Sequence, residues 1–264
     1  MLMKIPSPSV NRTVFKFLLV AALGFACCCR TVSAAAITLT SSDPGGQSSF
    51  NSATYPRWSN TAAPSSGNDY YVGGTAVGTV LRTPNLTGSY VFGGGSLTIG
   101  SISNAGILAY LGTSAGNTIT VNNLILDNGT YQNNFAGANT LAGNVTLSSG
   151  GGTFHAIGST SNLTVTSTIS GSGALTVDAQ TGITATTTLT AANTFNGTTT
   201  VAAITTLVLG NNLALQNSAL NTSGAGVVNV SGSTTPTLGG LSGSKNLASV
   251  ITTCLLYTSD AADE

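Results

Sequence analysis

The sequence predicts an all-β chain wound into a stack of parallel coils, a β-solenoid. Three observations carry this. Charged residues make up only 5% of the 264, with 7 Lys+Arg against 7 Asp+Glu, and there are 33 glycines; a soluble globular domain averages about 25% charged residues. Apolar residues come in short runs of the form Φ-Thr-Φ, separated by Gly, Asn and Ser. That period of two puts aliphatic side chains on one face of a strand and hydroxyls on the other. Finally, the frame Ala-Asn-Thr-Φ-x-Gly-x-x-Thr-Φ that starts at Ala138 and ends at Leu147 recurs from Ala192 to Val201. Repeated short strands bury their apolar face by stacking on neighbouring copies. The alternative is a β-sandwich, which places hairpin turns about every 8–12 residues and has no reason to repeat a frame.

The same composition excludes other classes. A formal net charge of zero offers no electrostatic footprint for nucleic acid or anionic lipid. Heptad bundles need Lys, Glu, Arg and Leu in quantity, and disorder needs high charge with low hydrophobicity.

Taken in chain order, residues 1–36 read as a secretory signal. Lys4, Arg12 and Lys16 form a basic leader, Phe17 to Cys28 an apolar stretch, and Val32 to Ala36 a run of small residues suited to cleavage. The apolar stretch is shorter than the roughly 20 residues of a spanning helix. Residues 37–95 are expected to cap the first coil, because Phe50, Tyr55, Trp58, Tyr70 and Tyr71 concentrate there and an open solenoid end must be sealed. Residues 96–253 are expected to form the coils, through runs such as Leu97-Thr-Ile99, Ile119-Thr-Val121, Leu163-Thr-Val165 and Leu175-Thr-Val177. Threonine suits the outward position because it is β-branched. Glycine and asparagine suit the corners because they tolerate left-handed backbone, and asparagines at equivalent corners can form ladders. With roughly 20–25 residues per coil and about 4.8 Å between strands, the stack forms a rod on the order of 40 Å. The run from Cys254 to Glu264 resembles one reading frame of a sequencing adapter, so the natural C-terminus is expected to be missing and the acids Asp260, Asp263 and Glu264 to carry no function. All four cysteines fall in the leader or this tail, which leaves the body to be held by its own core and backbone ladders.

Residues 169–247 then show a resemblance to a family. Ile169-Ser-Gly-Ser-Gly-Ala-Leu-Thr-Val177 is followed by Leu189-Thr-Ala-Ala-Asn-Thr-Phe-Asn-Gly-Thr-Thr-Thr-Val201 and by Thr206-Leu-Val-Leu-Gly-Asn211. This order resembles the autotransporter-associated β-strand repeat, whose usual run is Gly-x-Gly-x-Leu, then L-x-G-x-N-T-Y-x-G-x-T-x-V, then x-L-x-L-G. Val177-Asp178 stands where the family has Lys-x-Gly, and Phe195 where it has Tyr. The resemblance implies a right-handed parallel β-helix, exported as a non-catalytic passenger with a structural or adhesive role. It would be displayed at, or released from, the surface of a Gram-negative-type bacterium. Membrane attachment would come through a C-terminal barrel or anchor beyond this chain. Partners would be extracellular carbohydrate or the surface of a host or neighbouring cell.

Two other functions follow from the residues themselves. A β-helical polysaccharide lyase or hydrolase needs two carboxylates about 5–10 Å apart. Outside the leader and tail the acids are Asp43, Asp69, Asp127 and Asp178, and the bases Arg57, Arg82 and Lys245. The separation of Asp127 from Asp178 is close to that between the two copies of the repeated frame, so stacking would bring both onto one face. Ice binding is suggested by Thr164-Val-Thr166, Thr184-Ala-Thr186 and Thr188-Leu-Thr190. A working array must recur once per coil, the spacing from 164 to 184 to 188 is irregular, and threonine is already the favoured outward residue. Tyr55, Trp58, Tyr70 and Tyr71 are candidates for a carbohydrate-stacking platform if they do not form the cap. His155 is expected to face outward without metal ligands beside it. No pattern points to a catalytic group, a cofactor or a metal.

Overall fold

The computed structural model describes residues 34–74 and 78–252. The leader expected over 1–36 lies outside them except for Ala34, Ala35 and Ala36, and so does the tail over 254–264. Ala35 and Ala36 belong to the first strand, Ala35–Thr38.

The chain is an all-β parallel solenoid. Its strands form a 12-stranded and an 8-stranded sheet, and every pairing between named strands is parallel. The antiparallel contacts among the described residues are isolated bridges, Leu39 with Trp58 and Ser101 with Asn104. A hairpin-wound sandwich is therefore not the fold. Parallel neighbours need a full turn of chain between them, and here each turn is one coil.

Within a strand the alternation sorts side chains as expected. In Ser96–Ile99 the leucine and isoleucine are buried while Ser96 and Thr98 are half-exposed; Thr205–Leu209 buries its first, third and fifth residues. Stacking joins the inward residues into columns. Ile119, Leu141, Val165, Leu189 and Leu209 follow one another on five coils of the larger sheet. Leu108, Tyr131, Phe154, Val177 and Val201 do the same on the smaller one. All ten are buried, each aliphatic side chain contributing about 1.5–3 kcal/mol by leaving water.

The long strands Asn117–Leu126 and Ala138–Leu147 run across a corner, so the larger sheet has two facets. Their pairing shifts register between Val121 and Leu124. Gly143 makes that corner at φ 106. A β-carbon there would lie 2.0 Å from the Val121 carbonyl oxygen of the coil beneath. Other corners use Asn128 in the left-handed region, at φ 57, as expected for asparagine. The asparagine ladder takes a different form: side-chain amides donate to backbone carbonyls of the preceding coil, Asn144 to Asn122 at 3.1 Å and Asn123 to Gly95 at 2.8 Å.

Register corrects one expectation. On the smaller sheet the coils climb in near-equal steps through Gly106, Gly129, Gly152, Leu175 and Thr199. On the larger sheet they climb through Ala138, Asn162, Thr186 and Thr206, with a shorter last step. Two coils above Ala138 therefore stands Thr186, and not Ala192, where the frame recurs. The frame starts on one facet at Ala138 and ends in Leu147 on the larger sheet, whereas its copy ends in Val201 on the smaller one. It reports strand-and-corner chemistry, not an equivalent place in the coil.

The segment expected as a cap already contributes coils, since Ala35–Thr38 pairs with Asn68–Val72 and that strand with Ser96–Ile99. Inside these first coils lies a knot of rings. Trp58 meets Tyr70 edge-on at 4.8 Å, and Phe92 lies 5.3 Å from both Tyr70 and Phe50. Such pairs add about 0.5–1.5 kcal/mol beyond their buried area.

Tyr131, fully buried in its column, makes a long 3.4 Å hydroxyl contact with Asn139. Burial holds its phenol far above the ordinary 10.0, with Tyr110 adding to the effect. An unfolded tyrosine ionises near 10, so the folded form binds the extra proton above that pH. Stability from Tyr131 is therefore whole below pH 10 and falls as pH rises beyond it. Tyr131→Phe is expected to cost no more than about 1 kcal/mol at pH 8 and to flatten the loss of stability between pH 9 and 11. Urea midpoints across that range test it, and parallel curves for the two proteins would refute it.

Candidate functional site

The four aromatic candidates do not form one surface. Trp58 is 1% exposed, and Tyr70 is fully buried beside it. Trp58 Nε1 donates to the Ser49 carbonyl at 2.8 Å, and the Ser65 amide donates to the Tyr70 hydroxyl at 2.9 Å. With both ring faces covered, neither can stack on a sugar; they belong to the interior. Tyr71 is half-buried on the sheet, paired with Thr98. Tyr55 alone is open, at 50% exposure. It lines a cleft of about 330 Å³ with Gln47, Asn51, Asn85 and Leu86.

The same N-terminal region also holds a buried carboxylate. Asp43 accepts from the Ser49 amide at 2.9 Å, the Ser49 hydroxyl at 2.6 Å and the Arg82 amide at 3.0 Å. The Arg57 guanidinium lies 3.7 Å away. Every interaction ties one segment of residues 43–82 to another, which accounts for an acid in this interior.

Asp127 and Asp178 are not brought together. Gly129 pairs with Gly152 and Gly152 with Leu175, so Asp127 is level with Gly173, five residues before Asp178 and two coils below it. The Asp127 Oδ1 instead accepts from the Gly150 amide at 2.9 Å. The partner of Asp178 is His155, directly opposite it on the next coil, with Nδ1 and Oδ1 2.6 Å apart. A carboxylate only accepts, so the imidazole proton sits on Nδ1. His155 does face outward as expected, but in company. The signal was the separation of the two along the chain, which equals one coil step.

An Asp–His pair of this kind orients an imidazole. Its column continues with Gln132 on one side, a residue with no nucleophile. Among the described residues no three His, Cys, Asp or Glu side chains gather to hold a metal. A double-mutant cycle on His155→Ala and Asp178→Ala is expected to give a coupling of about 0.5–1 kcal/mol, as for a part-exposed pair. Chemical denaturation measures it, and a coupling of zero would show the contact to be energetically idle.

The threonine runs behave differently in space and in sequence. The pairing of Thr164 with Thr188, and the backbone bond from Thr190 to Val165, put Thr164-Val-Thr166 beneath Thr188-Leu-Thr190. The array that looked irregular along the chain is therefore regular across coils; Thr184, which broke the spacing, lies outside the strand Ala185–Leu189.

A surface depression of about 590 Å³ is lined by uncharged residues including Asn211, Asn212, Thr234 and Thr235. Asn212 Oδ1 already accepts there from the Ser233 hydroxyl and the Thr234 and Thr235 amides. Comparison with protein-family models, curated proteins and solved structures finds no match to the chain.

Proposed function

We propose that this chain is a non-catalytic, exported surface passenger whose coil stack serves as a stalk with a structural or adhesive role. The observation that carries the reading is the parallel ladder running from Ala35 to Thr252. Such a stack is a rigid spacer whose length scales with coil number. The basic-then-apolar leader supports export, and the autotransporter-like order of residues 169–247 supports display on a Gram-negative-type surface. Carbohydrate or another cell's surface is the partner class this reading implies, with Tyr55 and its cleft the aromatic contact left open.

The test is expression of the whole gene, leader included, in a Gram-negative host. Antibody labelling of intact cells and analysis of the medium are expected to find the chain outside with the leader removed. Cytoplasmic retention with the leader intact would end the reading. Turnover of polysaccharide by the purified chain would replace it with the enzymatic one.

A further inference from the structure

Outward threonine on a strand needs no special reason. What needs one is a two-dimensional lattice of them. Thr118, Thr140, Thr164 and Thr188 occupy one outward position on four successive coils. Two residues further along the chain stand Thr120, Ala142, Thr166 and Thr190, the last two just past the ends of Ser161–Val165 and Ala185–Leu189; they are held in step by the Thr120–Ala142 pairing and by backbone bonds from Thr166 to Leu141 and from Thr190 to Val165. On the other side, Asn162 is followed by Thr186 and Thr206. No charged side chain stands in the lattice, and all its threonines are half-buried or exposed.

The smaller sheet supplies the comparison. Thr130, Thr153, Thr176 and Thr200 stack there too, but as a single column beside Gln132, His155 and Asp178. Strand propensity explains that column. It does not explain neighbouring threonine columns on a face kept clear of charge.

We propose that this lattice binds ice. Neighbouring coils space its side chains about 4.8 Å apart, and alternate residues along a strand space them about 6.6 Å apart. The first repeat lies close to the shorter oxygen repeat on the prism face of hexagonal ice, and the second falls about a tenth short of the longer one. Each threonine offers a hydroxyl that anchors one water and a methyl group that leaves the next water hydrogen-bonded to its own neighbours. The Thr118 amide donates to the Ser89 hydroxyl at 2.9 Å, but among the described residues the hydroxyls of Thr118, Thr140, Thr164 and Thr188 have no hydrogen-bond partner, so they are available to water. Thr166 and Thr190 donate to the Leu141 and Val165 carbonyls at 3.2 Å, which fixes their positions while leaving oxygen lone pairs free. A charged group would hold a competing hydration shell. The stacked coils supply the other requirement, a lattice fixed before water arrives, because each inner strand is bonded on both edges. The proposal is independent of the passenger reading, since a displayed stalk needs no affinity for ice.

The experiment measures thermal hysteresis and crystal habit for the full chain and three variants. Thr164→Tyr and Thr188→Tyr put bulk in the middle of the lattice; Thr153→Tyr puts the same bulk on the smaller sheet. Circular dichroism melts establish that each variant is folded. The full chain and Thr153→Tyr are expected to hold a gap between melting and freezing and to grow faceted crystals. Thr164→Tyr and Thr188→Tyr are expected to fall to the level of buffer. If the tyrosine variants do not fold, Thr164→Val with Thr188→Val keeps the shape and removes the hydroxyls, and is expected to lose most of the hysteresis. Disc-shaped growth with the full chain overturns the proposal. So does equal loss in Thr153→Tyr, or binding to crystalline cellulose without any effect on ice.

Discussion

Replacing Trp58 with alanine is expected to cost about 3–5 kcal/mol, the range for removing a large aromatic from a packed interior. The indole is buried against Tyr70 and Phe92, with ring centroids 4.8 Å and 6.2 Å away, and its N–H is bonded to Ser49. Deletion opens a void that the surrounding strands cannot close and leaves the Ser49 carbonyl without its donor. Because each coil contacts only its neighbours, the loss falls on the first coils. Hydrogen exchange is expected to show amides of 35–99 opening while the strands beyond Ala138 stay protected. Trp58→Phe, which keeps most of the apolar volume, is expected to recover most of the stability. Uniform protection in Trp58→Ala would mean that the aromatic knot does not seal the stack.

Gly143→Ala is the second large effect. The residue holds φ 106, and the added carbon would come within 2.0 Å of the Val121 carbonyl oxygen and 2.6 Å of its carbon. Both are backbone atoms of the neighbouring coil, so no side chain can swing away. Left-handed backbone costs a non-glycine residue roughly 1–2 kcal/mol, and overpacking adds about 1–3 kcal/mol. A total of about 2–5 kcal/mol is expected in urea denaturation. Gly116→Ala separates the two contributions, since Gly116 also has positive φ, 79, but open space around its β-carbon position. It is expected to cost about 1–2 kcal/mol, from the backbone alone. Equal losses at both glycines would rule out the steric account of the corner.

The strands were legible in the sequence because a period of two is written locally: Φ-Thr-Φ at 97–99 or 163–165 alternates whatever its neighbours do. Coil register was not, because it depends on how much chain each corner absorbs. Ala35 pairs with Asn68, Asp69 with Ser96 and Thr188 with Val208, three unequal lengths of chain for the same single turn. The Ala-Asn-Thr-Φ frame misled for this reason. A better marker was present in Gly129-Thr-Tyr131 and Gly152-Thr-Phe154, a glycine-threonine-aromatic triplet whose two copies stack directly on one another. The step between them also predicts the meeting of His155 with Asp178. The threonine lattice needed two different coil lengths at once and could be seen only after pairing was known. The split of the aromatics between interior and surface was equally hidden, since Tyr70 and Tyr71 are adjacent in the chain and strand alternation sends them opposite ways.

The equality of successive steps on the smaller sheet has an engineering consequence. Gly106, Gly129 and Gly152 are interchangeable seats, so excising residues 129–151 removes one storey and sets Gly152 directly on Gly106. On the larger sheet the same cut lets Thr164 settle above Thr118 with a discrepancy of a single residue, within what the corners already tolerate. The height of the stack can thus be trimmed or extended in whole increments, as a ruler is graduated, without redesigning the knot of rings in its first coils.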